Sequence, residues 1–345
     1  MNRRLHRVFD HLRNGTVAHT IKRYLARRRK YYAYQVSGAL TQQKIVTTLK
    51  NLGLSPGDLV CVHSSFSSLG YVEGGPGTFI KALEEVVGST GTIMMPTFSM
   101  TGSMLSYLES GEIYDIRKTP SKVGALTETF RNWPGVTRSL HPTNSVAAKG
   151  RLAHDLLSGH HRSIRPFGLE TPFGRLAALD GKILMINTHI HSFLHHVQDL
   201  VDFPNLYLNE TRTARVLDDK GVGSIVETKV MRTRVPYYLI LPGTDGFEED
   251  FVLLHDYALI FPESRATAVR KAGFRLQNHP EIMGRLEFLQ SKNILRTDDL
   301  GAARIGLLQS SSFLQEIRPQ MEALLTRFRT RYDIERIQGL NLPYL

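Results

Sequence analysis

Leu59-Val60-Cys61-Val62 runs directly into His63-Ser64-Ser65-Phe66-Ser67-Ser68-Leu69-Gly70, and Gly74-Gly75-Pro76-Gly77-Thr78 follows a few positions on. Four apolar residues bounded upstream by the turn Ser55-Pro56-Gly57-Asp58 predict a short buried strand. The strand empties into small hydroxyls and glycines, a helical pattern resumes over Thr78–Val87, and Thr92–Met95 reads as a second buried strand ended by Pro96. Strand, loop, helix, strand is the order of an α/β layer with a largely parallel sheet. Exposed backbone N–H groups where such a loop opens a helix suit a phosphate or an oxyanion. The loop is neither a Walker A sequence nor a Gly-x-Gly-x-x-Gly fingerprint, so on its own a structural turn explains it equally well.

Working outward, Thr41–Leu52 predicts a helix capped by Thr41 and stopped by Gly53. Thr119 is read as the cap of a helix opening at Pro120, and Arg138-Ser139-Leu140-His141-Pro142-Thr143-Asn144-Ser145 as a polar turn held by its proline. Lys182–Ile186 is a further strand. Thr213–Leu217, Ser224–Thr233 and Pro236–Leu241 read as β-rich, with Asp218-Asp219-Lys220-Gly221 as a hairpin turn. Ile282–Ser291 and Ser312–Thr330 read as helices.

The 345 residues, 41% of them hydrophobic, suffice for a substantial core. The single cysteine, Cys61, excludes an intramolecular disulfide framework and reads as a buried strand residue. No apolar run approaches the roughly 20 residues that span a bilayer, and no apolar segment follows the basic start as in a signal peptide. The expectation is a cytoplasmic protein. The formal charge of +11 is unevenly placed: residues 1–34 hold ten Lys/Arg and one acid, a surplus of nine, which leaves two for everything after. A nucleic-acid partner is therefore not expected for the body. The organisation reads as a basic helical extension over 1–38 and a catalytic body over 39–345.

Asn187-Thr188-His189-Ile190-His191-Ser192-Phe193-Leu194-His195-His196-Val197-Gln198-Asp199 carries four histidines within eight residues. Histidine titrates near neutrality and serves as a general base or as a metal ligand. The metallo-hydrolase spacing His-x-His-x-Asp-His is absent, because Phe193 and Leu194 occupy the intervening places. No metal is expected, although a metal-dependent hydrolase using His189, His191, His195 and His196 remains an alternative.

Taken in order, several elements resemble the antibiotic N-acetyltransferase family, typified by aminoglycoside 3-N-acetyltransferases. They are His63-Ser64-Ser65 with Leu69-Gly70, Gly74-Gly75-Pro76, Met95-Pro96-Thr97-Phe98-Ser99, Thr119-Pro120-Ser121, Gly124, Glu128-Thr129-Phe130-Arg131, Arg138-Ser139, His141-Pro142 and Ser145. Thr171-Pro172 stands where that family has Ser-Pro. The resemblance covers roughly residues 41–330 and implies one α/β domain with a central mixed sheet flanked by helices. It implies transfer of an acetyl or other acyl group from acyl-CoA to an amine of an amino sugar or an aminoglycoside-like acceptor. The family's Thr-x-x-His-x-x-Glu element falls on Ser192, His195 and Gln198, making His195 the base. Matching Thr188 instead would choose His191 and put Leu194 at the acid position. Asp199, one turn beyond His195 if Ser192 caps the helix, could orient the imidazole in place of the missing glutamate. The resemblance places acetyl-CoA, or another acyl-CoA, along Ser64, Ser65, Ser67, Ser68, Leu69 and Gly70, with Thr97, Arg138, Ser139, His141 and Ser145 as further walls. A non-catalytic CoA- or sugar-binding relative is the remaining alternative.

Aminoglycosides are polycations and call for an acidic acceptor site. Near the histidines the chain offers only Asp199, Asp202 and Glu210, which favours a less cationic amine such as a nucleotide-linked or glycan amino sugar. The basic arm reads either as a solvated helical appendage or as a contact with anionic membrane, where each Lys or Arg contributes on the order of 1 kcal/mol. Deleting residues 1–34 is expected to preserve turnover on a small amine and to reduce salt-sensitive binding to anionic vesicles in a flotation assay. A folded but inactive truncation would place the arm in the site or in an obligatory assembly.

Overall fold

The computed structural model describes residues 38–100, 103–188, 191–203, 206–231 and 289–331. The basic arm through residue 37, the strand expected over Pro236–Leu241 and most of the helix expected over Ile282–Ser291 lie outside these residues. Three parallel strands form the centre: β1 (Leu59–Ser64), flanked by β2 (Thr92–Pro96) and β6 (Lys182–Ile186). Their runs of Val, Ile, Leu and Met are buried on both faces, as strands covered by helices on each side require. Antiparallel strands extend the sheet. Beside β2 come β5 (Val146–Gly150) and then the two-residue β4 (Thr137–Arg138). Beside β6 come β10 (Ala303–Gln309) and then β9 (Leu295–Leu300). The result is a seven-stranded mixed sheet ordered β4-β5-β2-β1-β6-β10-β9.

One face packs on α1 (Gln42–Leu52), α2 (Pro76–Val87) and α4 (Ala125–Arg131) through Ile45, Leu49, Phe79, Leu83 and Phe130. The other packs on α5 (Ala153–Leu157), α6 (Pro172–Ala178), α7 (His191–Leu200) and α8 (Ser310–Arg331) through Leu156, Phe173, Phe193 and Phe313. A separate three-stranded sheet orders β3 (Tyr114–Asp115), β7 (Tyr207–Leu217) and β8 (Gly223–Met231), and α3 (Met104–Glu109) rests on it through Met104 and Leu108. Among the described residues no helix is long and apolar enough to cross a membrane.

The α1 boundaries follow the expected chemistry: Thr41 Oγ1 accepts from the Lys44 N–H and Gly53 turns left-handed at φ 113°. The expected helix from Thr119 does not form there. Its hydroxyl accepts instead from the Asp115 backbone N–H at 2.9 Å, and the Ser121 N–H is held by the Glu128 carboxylate at 2.6 Å. The segment therefore stays a tight turn, and α4 opens only at Ala125 behind Gly124. Helix α2 opens at Pro76 rather than Thr78, because proline at the first helical position loses no hydrogen bond.

Gly150 ends β5 at φ +127°, and a Cβ there would strike the Gly91 carbonyl oxygen and Thr92 Cα. Both are backbone atoms of the turn into β2 and cannot swing aside. Gly150→Ala should therefore cost about 1–3 kcal/mol, adding overpacking to a left-handed backbone. A lowered melting temperature checks this, and an unchanged one would show that the β2–β5 junction yields.

Candidate active site

Ligands in open α/β sheets sit beyond the carboxyl ends of the parallel strands. Here that edge receives the loops after β1, β2 and β6, together with the turn that enters the antiparallel β5. After β1, the Ser65 N–H donates to the Ile186 carbonyl at 2.9 Å, binding the loop to the end of β6. A 3-10 turn then spans Phe66–Leu69, closed by the Ser68 N–H and hydroxyl on the Ser65 carbonyl. Its first amides, on Phe66 and Ser67, have no acceptor within the turn. The Ser64 hydroxyl is buried and has no partner among the described residues. Ser67 is exposed. Leu69, by contrast, turns its side chain into the core, because its carbonyl must receive the Ala302 N–H. Of the expected loop contacts, it offers backbone alone.

The other expected contacts form a buried network around Arg138. Its Nε lies 3.1 Å from Thr97 Oγ1 and 3.2 Å from Ser145 Oγ, and its terminal nitrogens donate to the Thr119 and Thr97 carbonyls at 2.5 Å each. The guanidinium also sits 5.0 Å over the Tyr114 ring, whose burial pushes its hydroxyl pKa up to about 12. Tyr114 in turn donates to the Ser139 carbonyl at 3.0 Å. Arg138 is thus turned inward, and Thr97 and Ser145 are hydrogen-bonded to it and to each other. These three hold the wall's shape.

Ser139 Oγ accepts from the Val146 N–H and lies 2.9 Å from His160 Nδ1. His141 Nδ1 accepts the Asn144 N–H at 3.1 Å, and the two imidazoles stack at 4.5 Å. Both rings are fully buried, and neither Nε2 has a partner among the described residues. Burial holds His141 down to about 3 and His160 well below the usual histidine value, with His161 adding to the first shift and His141 to the second.

Helix α7 carries the histidines. It begins at His191, so Ser192 lies inside it rather than capping it. His195 is partly buried, with Phe167 against its ring at 5.1 Å. Its Nδ1 lies 2.7 Å from Gln198 Oε1. A carbonyl oxygen only accepts, so Nδ1 carries the proton and Nε2 keeps its lone pair. Burial favours the neutral ring and lowers the His195 pKa, and the Gln198 bond opposes that shift. Asp199 does not take the orienting role suggested by its spacing. It is buried, 3.5 Å from Arg165 and beside Tyr207, and burial raises its pKa. His196 is turned away as well, its Nδ1 donating to the Phe167 carbonyl at 2.8 Å. Among the described residues no three His, Cys, Asp or Glu side chains gather as a metal site.

Arg165, Phe167, His160 and Tyr114 were not singled out from the chain. They come from loops and a short strand with no periodic signal, and only tertiary packing brings them to the site.

A seven-stranded mixed sheet, with a tautomer-fixed histidine on the helix that follows β6, defines the chain as an α/β protein. Residues 61–322 match the family described as aminoglycoside 3-N-acetyltransferase, and the chain belongs to that family. It is 34% identical over 180 residues to aminoglycoside N(3)-acetyltransferase IX of Micromonospora chalcea, an alignment covering 48% of this chain and 64% of that one. The matched stretch thus spans less than two thirds of that relative. The crystal structure of aminoglycoside acetyltransferase AAC(3)-Xa superposes with a TM-score of 0.66 at 25% identity, over 87% of this chain and 99% of that one. A structure of AAC-IIIb with CoASH shares the fold, with a TM-score of 0.60 at 20% identity, over 83% of this chain and 97% of that one.

His63, on β1, is buried and held down to about 4. With His141 it refuses protons that the unfolded chain accepts below about pH 6.5. Because the folded values are depressed, stability is lost as pH falls from about 6.5 towards 4. The melting temperature should drop by several degrees between pH 7 and pH 5, and His63→Gln should flatten that slope. A flat profile in the native protein would contradict neutral burial of these rings.

Proposed function

We propose that the chain transfers an acyl group, acetyl in the simplest case, from acyl-CoA to an amine of an amino sugar or aminoglycoside-like acceptor. The observation that carries the reading is the 2.7 Å contact between His195 Nδ1 and Gln198, which leaves Nε2 as a proton acceptor. Family membership supports the reaction class. The acceptor nitrogen bonds to the thioester carbonyl carbon, the C–S bond breaks, and the amine proton passes through His195 Nε2 to the departing thiolate. The unpartnered Ser64 hydroxyl and the Phe66 and Ser67 amides are the groups of this chain suited to hold the acyl-CoA. Thr97, Arg138, Ser139, His141 and Ser145 act behind them as a rigid wall.

His195→Ala should lower the acylation rate by roughly 10²- to 10⁴-fold, the usual range for a lost general base, with the fold retained. His191→Ala should cost much less, and the reverse order would assign the base to His191. Gln198→Glu should restore a charged partner to the imidazole and raise its pKa. The acid limb of the kcat/KM profile should then move to higher pH, and an unmoved limb would separate Gln198 from the base. Thiol release from acetyl-CoA in the presence of an amino-sugar panel reads all three.

A further inference from the structure

Beyond the carboxyl end of α7 an open cleft is lined by Arg165, Asp199, Asp202, Tyr207 and Lys229, among others. Asp199 stands one turn from His195, about 6 Å along the helix axis. The segment that carries Arg165 lays Phe167 on the His195 ring, and a side chain at Gly168 would meet Asp199 Oδ2. An acceptor whose amine reaches His195 is thus one helical turn from this cleft.

The charges there cancel. Arg165 reaches Asp199 at 3.5 Å and Asp202 at 3.2 Å, and Lys229 adds a second cation to the same lining. The third nearby acid, Glu210, is held by Arg212 at 2.8 Å, and position 198 is an uncharged glutamine. Two cations against two carboxylates leave no net field to attract a polycation. The Arg165 side chain is 48% exposed, that of Asp199 5% and that of Asp202 75%, so the guanidinium bridges a buried and an exposed carboxylate. An ammonium group seeking both acids competes with it.

We propose that Arg165 is an acceptor-specificity residue that turns this cleft away from polycationic aminoglycosides and towards sugars bearing a single amine. The inference rests on the acyl-transfer reading and goes beyond it by assigning the acceptor class to one side chain. Removing the guanidinium leaves Asp199 and Asp202 without their shared cation, while a lysine at the same place keeps the charge.

The test compares the native protein, Arg165→Ala, Arg165→Gln and Arg165→Lys on gentamicin and glucosamine, measuring thiol release from acetyl-CoA and, separately, acceptor binding by calorimetry. In the two uncharged variants the ratio of kcat/KM for gentamicin to that for glucosamine should rise at least tenfold, through KM, and should shrink again with added salt. Arg165→Lys should keep the native ratio. An unchanged ratio in a variant whose melting temperature is native would overturn the proposal, as would an equal rise in the lysine variant. Arg165→Gln serves if the alanine variant fails to fold. If no amine draws thiol release from the native protein, the acyl-transfer reading fails. Calorimetry still decides the charge argument, since gentamicin should bind the uncharged variants at least tenfold more tightly than the native protein.

Discussion

Arg138 is a buried cation paired with no carboxylate among the described residues. Removing a guanidinium from water costs several kcal/mol, and burial here weakens its hold on its proton. What offsets that cost is a set of fixed acceptors: two carbonyls, two hydroxyls and the face of Tyr114. These five groups come from four different pieces of the edge, Thr97 giving both its hydroxyl and its carbonyl. Thr97 follows β2, Thr119 closes the turn before α4, Ser145 leads into β5, and Tyr114 belongs to the small sheet. The guanidinium meets all of them only when every piece is in place. Bent away from solvent in this way, it gives the strand ends a common geometry that no regular element supplies.

The parallel centre was legible because its strands are short, largely apolar and punctuated by turn residues. Leu59–Val62, Thr92–Met95 and Lys182–Ile186 differ from the observed strands by two residues or fewer. The hairpin at Asp218–Gly221 was legible for the same local reason, with the Asp218 carboxylate accepting from the Lys220 and Val222 amides. The flanking strands were not. Thr137–Arg138 and Leu295–Leu300 are polar at most positions, so their pairing depends on a neighbouring edge rather than on their own pattern. The start of α4 was missed because Thr119 and Pro120 resemble a helix cap, while the competing Asp115 amide cannot be seen from spacing.

The site divides along the same line. His195 and Gln198 sit three apart on one helix, a separation at which side chains meet, so their contact was readable. Asp199 satisfied a spacing argument equally well and yet faces Arg165, since a buried carboxylate goes to the nearest cation and the loop of residues 163–169 supplies one. An uncharged glutamine beside the imidazole has a chemical effect of its own. It fixes the tautomer and supports the imidazolium through a neutral hydrogen bond, which favours the charged ring less than a carboxylate would.

The seam between β6 and β10 has a consequence for how the protein comes into being. Ile186 pairs with Ile305 and Met185 with Gly306, so one side of the central strands stays open until the last part of the chain arrives. On a ribosome, β1, β2 and β6 emerge before β10, the strand that covers this edge among the described residues. Pairing across so long a stretch of chain is intrinsically slow. The nascent protein therefore passes through a vulnerable interval governed by synthesis rate, in which chaperone access bears on yield more than the finished fold's stability does.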